Sequence, residues 1–582
     1  MKILLIQPPI RDFYTTSHRM YPLGLLYLAS SLKAKGFQCE LLDCFSGNMK
    51  RRIPLPFSLN YLKEFYPPDD KSPFRLFGSF YHFGLADEAI RDKIKHADIV
   101  GISALFTTYE GDVLRVAQIA KELGKVVILG GTHATVAAPH LLETPYVDYV
   151  ILGEGERRLV ALCQSLRGNY QLESIDGLGY KMKGRIEITQ QKGYLENINT
   201  LPFPDRTILD HDNYYFRGFR YTMILASRGC PFGCSFCSSH AIMGKTIRFR
   251  SIENILEEMR ICYKLYNIKV FDFEDDHFAV NRYRSLALLE AIEAEFGNDP
   301  QFRLLFENGL FPHSLDKELL TRMNKLGTNH LNLPLVTASY TLHKRLNRPG
   351  SPKSFAEIIR KAKGTFFITG YIILGIPGSD INEMLQSIRF LSERNVLIAP
   401  SIFYAAPGME IYQQCKKKGW LTYDSFLPLR SSAFPLETDR FRRLDLVTLF
   451  RLIRALNFIK SLIDKSDLTG EMTLSKFIKH ALLYAPELSV PLENLTIKSS
   501  RSLSPTDLGL IILSTWLCSA PAFYYLRKEK LRRETTVLHQ WTYHLIQQKD
   551  STRVWNQFFS IMNHTPIRGI HNTELSLTWD IE

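Results

Sequence analysis

The run Cys230-Pro-Phe-Gly-Cys234-Ser-Phe-Cys237 sets three thiols at C-x3-C-x2-C spacing. Three thiolates are one fewer than a closed tetrahedral metal site takes. The flanking cysteines, Cys163 and Cys262, are too distant in sequence to complete the set locally. On a four-iron cluster, three cysteine ligands leave one iron open to bind a substrate or cofactor directly. That suits a reactive cluster better than an electron-carrying one. A structural zinc site with His240 as fourth ligand is the competing reading, although zinc sites more often pair two C-x2-C knuckles. Nine cysteines scattered over 582 residues do not form a secreted disulfide framework. Gly229 and Gly233 let the backbone wrap tightly, and Phe236 puts an aromatic ring beside the third thiol.

This loop resembles the C-x3-C-x-aromatic-C segment of the radical S-adenosylmethionine (radical SAM) enzymes. The resemblance implies a [4Fe-4S] cluster held by Cys230, Cys234 and Cys237. Its unique iron would be chelated by the amino and carboxylate groups of SAM, with Phe236 near the adenine. Further along, Glu274-Asp275-Asp276 offers a carboxylate for an ammonium group through a charge-assisted hydrogen bond. The resemblance puts the methionyl amine there, on Asp275 or Asp276, the remaining acids being helix caps or solvated. It also implies that Asn308 in Glu307-Asn-Gly309 faces SAM and that the turn at Gly375 in Gly375-Ile-Pro-Gly378 lies near the adenine. Pro407-Gly408 matches another family turn. One departure stands out: Val336 aligns where many relatives carry an acid, leaving Thr337 or Ser339 as substitutes.

The elements that must position these groups fall into an α/β pattern. Over residues 1–168, strands expected at Ile3–Gln7, Cys39–Leu42, Ile99–Ala104, Val126–Leu129 and Tyr149–Leu152 alternate with helices at Leu23–Lys35, Gly111–Leu123 and Glu156–Leu166. Weaker helices are expected near 86–95 and 138–143. This alternation predicts a flavodoxin-like, doubly wound parallel sheet, with ligands beyond the carboxyl ends of its strands. The pieces Pro22–Ala29, Asp98–Ser103, Gly130-Gly-Thr-His133 and Gly153-Glu-Gly-Glu156 resemble the cobalamin-binding domain found ahead of many radical SAM domains. That resemblance implies a corrinoid over the strand ends, contacted by Ser103, Thr107, Gly131, Thr132 and His133. No Asp-x-His-x-x-Gly is present, so the lower-ligand histidine of methyltransferase-type corrinoid domains is missing. Residues 45–85 form an aromatic-rich insertion, read as a local hydrophobic cap.

Residues 169–215 read as a linker with a small hairpin. From 216 to 424, strands at 222–227, 268–273, 303–306, 330–335, 370–374 and 399–404 alternate with helices at 251–265, 281–296, 315–326, 352–363, 380–394 and 410–418. Six βα units predict a partial (βα)6 barrel with the cysteine loop at its top. Residues 425–582 read as a mainly helical region, with helices at 441–464, 472–484 and 507–548. Within the last of these, the uncharged stretch 508–526 reads as a buried helix pair broken at Pro521 rather than a membrane span.

The net charge of +13 is dispersed, which suits a basic solvated surface rather than a nucleic-acid groove. The N-terminus lacks a signal-peptide pattern, and free cysteines with a cluster fit the reducing cytoplasm. Taken with the resemblance, the sequence implies an enzyme that reductively cleaves SAM and methylates an unactivated carbon of a small molecule through methylcobalamin. An external donor such as a flavodoxin or ferredoxin would supply its electrons. Radical cyclisation, rearrangement or oxidation without methyl transfer is the second reading. A corrinoid-binding sensor or scaffold with a structural cluster is the third.

Overall fold

The computed structural model describes residues 1–15, 20–45, 47, 49–66, 76–168, 171–465, 472–477 and 550–570. Its first layer is a seven-stranded sheet built from β1 (Lys2–Gln7), β2 (Gln38–Asp43), β3 (Ile99–Ser103), β4 (Val126–Gly130), β5 (Tyr149–Ile151), β6 (Leu178–Met182) and β7 (Arg185–Ile188). The spatial order is β7-β6-β5-β4-β3-β1-β2. The five strands from β2 to β5 run parallel. Helices α1 (Leu23–Lys33), α2 (Asp87–Ile94), α3 (Glu110–Glu122) and α4 (Glu156–Ser165) return the chain between them. Such strands are apolar on both faces because helices cover both. Leu4, Ile6, Val100 and Leu129 enter one core, and Ile3, Leu5, Ile99 and Ile128 the other.

The hairpin β6–β7 continues this sheet in antiparallel register rather than standing apart in the linker. Lys183 and Gly184 both take positive φ at its two-residue turn, a twist that matches the flanking strands.

Six further parallel strands follow: β8 (Phe219–Ile224), β9 (Val270–Phe273), β10 (Arg303–Leu305), β11 (His330–Val336), β12 (Phe367–Leu374) and β13 (Leu397–Ile402). They form two separate ladders, β8-β9-β10 and β11-β12-β13. The intervening helices are α5 (Ile252–Tyr266), α6 (Arg282–Phe296), α7 (Lys317–Lys325), α8 (Pro352–Ala362), α9 (Ile381–Ser392) and α10 (Glu410–Lys417). Five of them start on side-chain caps, from Ser251, Asn281, Asp316, Ser351 and Asp380. Each cap satisfies an orphan amide and stabilises its helix by about 1 kcal/mol.

The aromatic insertion packs as a cap. Phe13, Phe65, Tyr66 and Phe80 share a core with α11 (Arg443–Lys465) and the six-strand region. Tyr61 donates to the Ala433 carbonyl at 2.9 Å. Residues 425–434 bridge back to the segments that follow β1 and β3. There Arg430, nearly buried, pairs with Asp12 at 2.9 Å, and the Thr108 hydroxyl donates to the Leu427 carbonyl at 2.8 Å. A helix at Thr552–Met562 packs on α9 and α11. Most of the helices expected at 472–484 and 507–548, the uncharged stretch included, lie outside the described residues. Among the described residues no helix is long and apolar enough to cross a membrane.

Candidate functional site

The cysteine loop leaves β8 through Ser227–Arg228 and returns through Arg248–Phe249, the two dipeptides pairing as an antiparallel ribbon. Gly229 begins the loop at φ +97°, and a Cβ there would stand 2.4 Å from the Thr246 carbonyl oxygen. Only glycine fits such an approach. Within the loop the Cys230 amide donates to the Gly244 carbonyl at 3.2 Å, Ser235 to Leu346 at 3.1 Å, and Cys237 to Cys234 at 3.0 Å. Burial lifts the Cys230 thiol to about 11, and Asp276, Cys237 and Cys234 add to the rise through their charges. Among the described residues no three His, Cys, Asp or Glu side chains stand at the closed spacing of a preformed metal site, and His240 does not complete one. One loop thus supplies three thiols and no fourth ligand, which fits a cluster with an open iron. Binding such a cluster would draw the thiols together.

Arg348, which the sequence reading missed, stands beside these thiols. Its guanidinium donates to the Pro334 carbonyl at 3.3 Å and is near enough to Cys234, and less so to Cys237 and Cys230, to feel their charges. It lies 4.2 Å over the Phe311 ring. Nothing in Asn347-Arg348-Pro349 marks it as a site residue, because its partner lies 114 positions earlier. Phe236 is partly buried against an apolar cluster that includes Val336, Ile376 and Phe403. Val336 sits at a bulge in β11 with φ +69°, an outlier for a β-branched residue. Its side chain is core. Thr337 and Ser339 are engaged within the chain: Ser339 caps the next helix and donates to Glu383 at 2.7 Å, while Thr337 meets Ser387 at 3.3 Å.

The two candidate aspartates separate sharply. Asp275 is 2% exposed and takes hydrogen bonds from the Ala226 amide at 3.0 Å and from the Ser227 hydroxyl. Burial raises it to about 6 against those bonds. It ties the end of β9 to the stem of the cysteine loop. Asp276 reaches solvent at the loop mouth, though crowding desolvates it and raises its pKa against a Ser239 hydrogen bond. Its charge is felt at Cys230. Of the two, Asp276 is the exposed carboxylate and Asp275 the buried one. Asn308 is exposed and donates to the Asp275 carbonyl at 3.1 Å. Gly375 packs against Leu446 of α11 rather than bordering open space.

On the sheet side, a cavity of about 300 Å³ opens at the carboxyl ends of β1, β3 and β4. Ser103, Gly131 and Thr132 line it, as do Gly101, Gly130, Gly153 and Gly155. Gly131 has φ +113°, and a Cβ there would lie 2.8 Å from the Ala104 carbonyl oxygen. These mostly apolar walls, widened by glycines at the strand ends, fit a bulky appendage of a large cofactor. Thr107 and His133 do not line this cavity. Thr107 is buried in a single helical turn. His133 is fully buried, with Nε2 2.7 Å from Glu110 Oε2 and the edge of Phe426 beside its ring. The short helix beginning at Thr132 turns the imidazole toward α3. The far wall comes from Leu225, Arg228, Ile242 and Met243, the last two in the helix that follows Cys237. The cavity and the cysteine loop therefore share a wall.

Family comparison agrees with this geometry. Residues 224–391 match the Radical SAM superfamily, and residues 83–163 match the B12 binding domain. An uncharacterized methyltransferase of Pyrococcus horikoshii is 28% identical over 426 residues, covering 71% of this chain and 83% of that protein. The cytidylyl-2-hydroxyethylphosphonate methyltransferase of Streptomyces wedmorensis is 25% identical over 468 residues, covering 72% and 82%. The anaerobic magnesium-protoporphyrin IX monomethyl ester cyclase of Rubrivivax gelatinosus is 24% identical, covering 57% and 61%. In fold, the chain resembles the cobalamin-dependent SAM radical enzyme OxsB with aqua-cobalamin bound, at TM-score 0.57 and 13% identity, covering 97% and 84%. It also resembles TsrM from Kitasatospora setae with cobalamin and [4Fe-4S] cluster bound, at TM-score 0.54 and 15% identity, covering 71% and 75%. The chain thus carries a B12-binding domain ahead of a radical SAM domain, and the cofactors that this pair of domains implies are a [4Fe-4S] cluster, S-adenosylmethionine and cobalamin.

Proposed function

We propose that this enzyme is a cobalamin-dependent C-methyltransferase acting on an unactivated carbon of a small molecule. The observation that carries the reading is the wall shared by the strand-end cavity and the cysteine loop, since methyl transfer needs both cofactors on one substrate. In this reading the chain divides into a flavodoxin-like domain, a partial (βα)6 barrel and a helical region that closes over both. The β6–β7 hairpin counts with the first domain.

When bound, the cluster with SAM supplies one-electron chemistry at an unreactive carbon, and cobalamin supplies a transferable methyl group. The chain's own part is positioning. Cys230, Cys234 and Cys237 hold the cluster, and Arg348 offsets thiolate charge on one side. Asp276 accepts the ammonium of SAM, Asn308 steadies the acid loop, and Phe236 gives the adenine an apolar face. Ser103, Gly131 and Thr132 let the corrinoid approach the backbone. Electrons arrive from an external flavodoxin- or ferredoxin-type donor.

The named activities of the two methyltransferase relatives support this reading. The cyclase relative supports the second one, radical chemistry without methyl transfer. Incubating the anaerobic, reduced enzyme and candidate substrates with deuterated-methyl SAM separates them. Label in the product is expected. Steady 5′-deoxyadenosine formation with unlabelled product would favour the second reading.

A further inference from the structure

Four charged side chains knit the first sheet to the cysteine loop. Arg228 Nη1 lies 2.9 Å from Glu154 Oε1, and its Nη2 lies 2.6 Å from Glu156 Oε1. Arg248 Nη1 lies 2.7 Å from Glu154 Oε2. Arg248 also donates to the carbonyls of Leu195 at 2.8 Å and Met243 at 2.6 Å. All four residues are at most 8% exposed. Charges so desolvated are held only in a mutually satisfied geometry. Burial would raise the Glu156 carboxyl, yet Arg228 outweighs it and holds it below the usual range.

The placement of these residues matters more than their strength. Arg228 and Arg248 are register partners at the two feet of the cysteine loop, and Arg228 stands two residues before Cys230. Glu154 and Glu156, with Arg228, also line the strand-end cavity. A ligand that fills this cavity therefore touches the acids that fix the stem of the thiol loop. We infer that Glu154, Glu156, Arg228 and Arg248 are positioning residues that couple occupancy of the corrinoid cavity to the geometry of the cluster loop, so that each cofactor strengthens the binding of the other. The inference rests on the two-cofactor reading above.

The test is a thermodynamic cycle on the full chain. The Kd for hydroxocobalamin is measured by equilibrium dialysis with and without a reconstituted cluster, iron and cobalt being counted in each sample. Coupling free energies commonly correspond to about 5- to 150-fold, and a ratio near tenfold is expected for the wild type. Arg248→Gln, a residue outside the cavity and not a ligand, should bring the ratio close to one. Glu156→Gln, which leaves Arg228 its bond to Glu154, should reduce it and serves if the first variant does not fold. Direct losses of affinity cancel in the ratio. A purely structural clamp would lower the melting temperature and leave the ratio unchanged. A ratio of one in the wild type, or a full ratio in a folded variant, overturns the inference. Failure of the wild type to bind cobalamin at all would instead sink the two-cofactor reading.

Discussion

The cysteine loop and the strand-end cavity face each other across one wall, but they are built by opposite means. The loop presents side chains: three thiols, an acid at its mouth and a guanidinium beside it. The cavity presents mainly room between apolar side chains, with Gly101, Gly130, Gly131, Gly153 and Gly155 widening its walls. A ligand held by coordinate bonds needs particular atoms at particular positions, so single substitutions there are decisive. A large ligand held by surface contact needs room, and many residues share the work.

The sharpest way to break that contrast is Cys234→Ala. It should abolish the cluster and 5′-deoxyadenosine formation outright. Cobalamin should still bind, weakened by no more than the coupling factor. On the cavity side, Gly131→Val forces a Cβ toward the Ala104 carbonyl at positive φ, a strain of about 1–3 kcal/mol. The expected outcome is a lower melting temperature and reduced cobalt content, with iron retained. The two aspartates carry the contrast inside one loop. Asp276→Asn should weaken SAM binding roughly tenfold, the scale of one charge-assisted hydrogen bond, with little change in melting temperature. Asp275→Asn should do the reverse, because its carboxylate serves the fold. Equal effects on both readouts would end the distinction.

The smallest effect is a pH dependence. Burial, with His313 nearby, depresses the His277 imidazole to about 4. Below the ordinary histidine value near 6.5 the unfolded chain takes a proton that the folded chain refuses. Stability should therefore fall as pH drops from 6.5 toward 4. The contribution is up to about 1.4 kcal/mol per pH unit, and His277→Asn should remove it. Parallel pH profiles for the two proteins in urea melts would contradict the assignment.

What could be read in the sequence follows the same division. The thiol spacing is local, and so are the caps and apolar runs that set helices and strands. Expected and observed helices accordingly differ by a few residues at most in the six-strand region. The misses involve partners distant along the chain. His133 follows a Gly-Gly-Thr turn that suggests a ligand, but Glu110, 23 residues earlier, takes its imidazole. Arg228 and Arg248 look like surface charges until Glu154 is brought to them from 74 and 94 residues away. Asp275 and Asp276 are indistinguishable by type, and only the Ala226 and Ser227 donors tell them apart. The β6–β7 hairpin was legible as a hairpin, whereas its edge pairing with β5 was not.

The central claim is that one chain holds a three-cysteine cluster and a corrinoid on either side of a shared wall. Anaerobic reconstitution with iron, sulfide and hydroxocobalamin, followed by metal counting on wild type and Cys234→Ala, tests it most directly. The account predicts one [4Fe-4S] cluster and one cobalamin per wild-type chain, with the variant losing the iron and keeping the cobalt. Zinc in place of iron, or a wild type that retains no cobalt, would contradict it.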